Sequence, residues 1–125
     1  MTKDDVIVNM CRFCINSRTV ESMSINDWVR KSGWLSLRKS ITLEDIKGYI
    51  TVNPDLIKAW LGYSSDQRCS PAWYFIENNK EMTSFTVGYF ESNLGRTKET
   101  KYSDSIEACA QFILNQFNAI SKHLK

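Results

Sequence analysis

The sequence predicts an α+β fold: a small antiparallel β-sheet of two to three strands within about residues 72–102, packed by a long C-terminal helix over about 104–122 and by several N-terminal helices. Three observations predict it. Ile106, Cys109, Ala110, Ile113, Phe117, Ile120 and Leu124 recur at helical spacing along the last stretch. Two runs rich in aromatic and β-branched residues, Trp73–Glu77 and Thr83–Phe90, flank the polar turn Asn78-Asn79-Lys80-Glu81. Upstream, helix-start signals repeat and the pattern is helical until the composition shifts near residue 65.

In chain order, Val6, Met10, Phe13 and Cys14 predict a helix from about Lys3 to Arg18, with Asp4 and Asp5 in its first turn where the helix dipole favours negative charge. Ser24 is a cap for a short helix that reaches Lys31 and stops near Gly33. Thr42 caps the next, which places Leu43, Ile46 and Ile50 on one face. Asn53-Pro54 opens a third, with Leu56, Ile57, Trp60 and Leu61 on its apolar side and Gly62 at its end. In the hairpin, Phe85, Val87 and Tyr89 point one way and Thr86 and Phe90 the other, so both faces need some cover. Asn93–Arg96 reads as a turn, and Lys98–Tyr102 as an edge strand blunted by lysine. Ser103-Asp104 caps the long helix, which packs on one face of the sheet; the N-terminal helices are expected on the other face or at its end.

The bulk numbers set the class. The chain has 125 residues, 42% of them hydrophobic and 24% charged, which fits one globular domain over 1–125, with a helical half at about 3–62 and the sheet plus long helix at about 72–124. No apolar run is long enough to span a bilayer. The opening Met1-Thr2-Lys3-Asp4-Asp5 lacks a signal pattern, so a cytoplasmic chain is expected. A net charge of +2 is small for a dedicated nucleic-acid binder.

Groups placed for chemistry are few in the sequence. Cys11-x-x-Cys14 has no second ligand pair for zinc and lies within an apparent helix; Cys69 and Cys109 stand alone. The single histidine, His123, is third from the C-terminus, where helices fray. The acid pairs Asp4/Asp5 and Glu44/Asp45 read as first-turn helix charges. No phosphate-binding glycine motif is present. The expectation is therefore no catalytic residue, metal, cofactor, small-molecule substrate or membrane. Four tryptophans raise the aromatic load, and Trp73 and Tyr89 are the candidate partner anchors. Glu77, Glu81 and Glu91 around the hairpin form a candidate acidic rim that would steer a basic partner. An alternative reading is a small nucleic-acid-associated regulator using the Thr42–Leu61 helices, a helix-turn-helix silhouette with Arg30, Lys31, Arg38, Lys39, Lys47 and Lys58 in the same half.

The C-terminal half resembles a known group. Trp73-Tyr74-Phe75-Ile76-Glu77, then Phe85-Thr86-Val87-Gly88-Tyr89-Phe90, Tyr102-Ser103-Asp104, and Ala108-Cys109-Ala110-Gln111-Phe112-Ile113 follow one another over residues 73–122. This order is similar to that of small bacterial immunity proteins of polymorphic toxin systems, nearest those of contact-dependent growth inhibition. The resemblance implies a cytoplasmic inhibitor that binds the C-terminal toxin domain of a cognate effector and masks its active site. Many such toxins are nucleases with basic grooves, which an acidic patch on the inhibitor would complement; the charge of +2 departs from that pattern unless the acids are gathered.

Overall fold

Short hydroxyl and carboxylate side chains start the helices. The structure, a computed structural model, describes residues 2–16, 24–66, 72–81, 83–91 and 95–122, apart from the side chains of Asn16, Ile25 and Asp66. Helix α1 (Lys3–Cys11) opens on a capping box: the Asp5 amide donates to Thr2 Oγ1 at 3.2 Å, and the Thr2 amide donates back to the Asp5 carboxylate at 3.1 Å. The expected helix to Arg18 breaks at Arg12, and a single turn, α2 (Phe13–Asn16), follows; Arg18 lies outside the described residues. The break has identifiable causes. The Trp60 indole N–H donates to the Cys11 carbonyl at 2.8 Å, while the Arg12 side chain is drawn to Tyr49 and Asn53.

Helix α3 (Ile25–Ser32) starts at Ser24 and ends at Gly33, whose φ of 88° closes it in the left-handed conformation. A further turn, α4 (Trp34–Leu37), follows at once; it carries no cap signal, and the burial of Trp34 holds it. Helix α5 (Leu43–Val52) repeats the capping box with Thr42 and Asp45. Helix α6 (Leu56–Asp66) begins two residues after Pro54, because the Leu56 and Ile57 amides close tight turns onto Asn53 and Pro54. It also runs through Gly62, the expected stop. An interior glycine costs about 1 kcal/mol, which is small beside the packing of Tyr63 on Trp60 and Phe13 one residue further on.

The sheet has strand order β1-β2-β3, all antiparallel: β1 (Ala72–Glu77), β2 (Phe85–Glu91) and β3 (Gly95–Tyr102). Strand β3 begins three residues earlier than expected, since Gly95, at φ 74°, supplies the turn into it. The register slips between Val87 and Tyr89, so β3 is bulged opposite Gly88, with Lys98 at φ 54°. The outer edge of β1 is closed by α6: the Phe75 amide donates to Ser64 Oγ at 2.7 Å. The register places Trp73, Phe75, Phe85, Val87 and Tyr89 on one face and Tyr74, Ile76, Thr86, Gly88 and Phe90 on the other, as the alternation predicts.

Helix α7 (Ser105–Ser121) is capped by Asp104 and lies across the first of these faces. It is central: the sheet is on one side, and α5, α3 and α1 pack on the other. The N-terminal helices therefore add to α7 and to the β1 edge instead of taking the second sheet face. The stripe was broader than the spacing suggested, for Phe112 is fully buried as well. Phe112 stacks on Phe75 at 5.8 Å and meets Trp60 edge-on at 5.8 Å, which joins the sheet to α6. Phe117 reaches Phe13 at 5.5 Å and Trp34 at 5.9 Å. Leu124 lies outside the described residues. Among the described residues no helix is long and apolar enough to cross a membrane.

Candidate protein-binding site

Trp73 and Tyr89 are direct partners in the β1–β2 ladder and therefore project side by side from the same face. Their rings meet edge-on, with centroids 5.3 Å apart. Trp73 rests partly on the core, and both side chains stay half-exposed. The bulge supplies a third member: Lys98 Nζ sits 5.1 Å from the Tyr89 ring centroid. Thr97 fixes the backbone beneath, its hydroxyl donating to the Tyr89 carbonyl at 3.3 Å. This is a rigid aromatic pair on paired strands, with one cation leaning over it. Lys98 carries no sequence signal of this role; a lysine on an edge strand reads as solvated, and only the bulge turns it onto the ring.

The three glutamates are not one rim. Glu77 pairs with Phe85 at the turn end of the hairpin, and Glu81 lies in that turn. Glu91 pairs with Gly95 at the opposite end of β2. Phe85 and Glu91 are six residue steps apart along β2, roughly 20 Å. Glu91 alone stands near Trp73 and Tyr89, two residues beyond Tyr89 on the same face.

The second sheet face is lined by its own side chains. Tyr74 lies across Gly88, and a Cβ at Gly88 would come within 2.6 Å of the Tyr74 ring. The Arg96 guanidinium sits 5.2 Å over the same ring. Burial, with the Glu99 carboxylate nearby, pushes the Tyr74 hydroxyl up to about 12. Thr86 is covered by Asn78, which donates to its hydroxyl at 2.9 Å.

Several of the candidate reactive groups have a structural employment. Asp5 and Asp45 are held below the usual carboxylate range, first by the backbone amides of Thr2 and Thr42. Asp45 also pairs with Lys3 at 3.1 Å, and Glu44 with Lys47 at 3.6 Å. Cys11 and Cys14 straddle the α1–α2 break and are buried, as is Cys109. Burial raises the Cys11 thiol to about 12, and it raises the Cys109 thiol too, so these two stay protonated at neutral pH. Among the described residues no three His, Cys, Asp or Glu side chains gather as a metal site would require. Cys69 and His123 lie outside the described residues. The two helices of the helix-turn-helix silhouette pack mainly on different neighbours, α5 on α7 and α1 and α6 on β1, and both touch α7.

Compared with known proteins, the chain matches no family model, no curated protein and no solved structure.

Proposed function

We propose that this chain works by binding another protein through the bulged end of its sheet, with Trp73 and Tyr89 as anchors. The observation that carries this reading is the cross-strand Trp73–Tyr89 pair, half-exposed and held by two paired strands. Large, stiff aromatics lose little entropy on docking, and Trp and Tyr recur where binding energy concentrates. Following the resemblance of residues 73–122, the partner proposed is the C-terminal toxin domain of a cognate effector, bound so that its active site is masked. The charge at this end is mixed, with Lys98 over Tyr89 and Glu91 two residues beyond Tyr89 on the same strand, and this favours a partner surface carrying both signs over a uniformly basic groove.

The test is titration calorimetry of the chain against the toxin domain encoded beside it, together with growth rescue on coexpression. The expected result is nanomolar binding and rescued growth, with Trp73→Ala and Tyr89→Ala each costing about tenfold or more in affinity. Reversal of Glu91 should alter the on-rate, and reversal of Glu77 and Glu81 should leave it unchanged. Absence of binding at micromolar concentration would remove the toxin reading. Binding that ignores both aromatic substitutions would remove the site.

A further inference from the structure

A second surface stands on the helical side, around Arg12. Its Nε donates to the Tyr49 hydroxyl at 2.7 Å, its Nη2 donates to Asn53 Oδ1 at 3.3 Å, and its guanidinium lies 5.7 Å from the Tyr49 ring centroid. Asn53 is itself fixed, donating to the Tyr49 carbonyl at 3.0 Å. Every one of these partners is neutral. Among the described residues no carboxylate comes within ion-pair distance of Arg12. Asp55, close in sequence to Asn53, is exposed and makes no ion pair among them. Arg12 is half-buried, so its charge has lost part of its water and meets no counter-charge among the described residues.

Its surroundings are apolar where they need not be. Ile15, whose amide donates to the Arg12 carbonyl at 3.0 Å, is 40% exposed. Val52, three residues beyond Tyr49 on α5 and thus on the same side of the helix, is 74% exposed. These are two of the three large hydrophobic side chains most open to water among the described residues. A pre-positioned arginine against a tyrosine, flanked by exposed aliphatics, has the composition of an interface centre. We propose that Ile15, Arg12, Tyr49 and Val52 form a second docking surface that takes a protein segment presenting a carboxylate between apolar side chains. A second copy of the chain fits less well, since a two-fold contact centred here would set Arg12 against Arg12. A nucleic acid fits less well too, since a phosphate backbone is met by rows of cations and gains nothing from Val52 and Ile15.

The experiment is selection from a random peptide display library on the wild-type chain, followed by affinity measurement of the recovered peptides. Expected are peptides enriched in Asp or Glu flanked by Leu, Ile or Val. They should lose about tenfold or more in affinity on Arg12→Gln and on Val52→Asp, and lose nothing on the Trp73→Ala/Tyr89→Ala double variant, which separates this surface from the sheet site. Recovery of no binder, of binders without acidic enrichment, or of binders indifferent to Val52→Asp overturns the proposal. Val52 is so exposed that its substitution leaves folding intact, so that variant decides the matter even if Arg12→Gln unfolds.

Discussion

The side of the sheet facing α7 buries Phe75, Phe85 and Val87 against Phe112, whereas the opposite side has Tyr74, Ile76, Thr86, Gly88 and Phe90. The first side is sealed by an element that comes from elsewhere in the chain. The second is sealed from within the sheet: Tyr74 covers Gly88, Arg96 covers Tyr74, and Asn78 covers Thr86. The difference teaches how an antiparallel sheet with large side chains on both sides manages with a single packed helix. On the covered side the currency is apolar area and close packing; on the other it is one glycine, one lying ring and a cation–π contact.

Substitutions should separate the two sides cleanly. Phe75→Ala should have the largest effect, a loss of about 3–5 kcal/mol on urea unfolding, because it opens a cavity beneath Phe112 and Phe85. Gly88→Ala should cost about 1–3 kcal/mol by the same measurement, because its Cβ would drive Tyr74 off the sheet. Adding Tyr74→Ala to that variant should make the glycine position nearly neutral; a full cost persisting in the double variant would show that Tyr74 is not what Gly88 accommodates. A smaller effect should appear in alkali. The unfolded state releases the Tyr74 proton near the ordinary tyrosine value of 10.0, while the folded state keeps it to about 12. Over that window the unfolded chain binds fewer protons, so the stabilisation present below about pH 10 declines as pH rises towards about 12. Cys11 acts in the same direction, so the measurement is the difference between wild type and Tyr74→Phe across that window, which should show a shallower decline in the variant. Phe90→Ser should matter least, within about 0.5 kcal/mol, since Phe90 is 42% exposed and covered by nothing that would collapse.

Much of this architecture was legible in the residues. Thr2, Ser24, Thr42 and Asp104 cap helices; all but Thr2 were readable as caps, because the short side chain that competes with a helix interior is the one that satisfies its first amides. The alternation of Phe85, Val87 and Tyr89 gave the facing of the sheet, because period-two patterning depends on the pleat alone. The features missed depend on contacts far along the chain. Arg12 breaks a helix through partners about forty residues away, and α6 ignores the glycine at 62 because its last turns are wanted against β1. Of the candidate site, Trp73 and Tyr89 are legible as separate aromatic residues, and their pairing follows once the hairpin register is known. The acidic rim failed on the same register: residues 77 and 91 look like neighbours of one hairpin in sequence and stand at its two ends in space.

Among the described residues, β3 leaves one rim of the sheet without a neighbouring strand, in contrast to β1 with its Ser64 seal. The left-handed Lys98 and the register slip at that point mean that another strand laid alongside would find hydrogen-bonding groups out of step and cations at Arg96, Lys98 and Lys101 in its way. Stacking of copies edge to edge would first have to flatten that kink, so the same irregularity that leans an ammonium group over Tyr89 also works against strand-to-strand association at this rim.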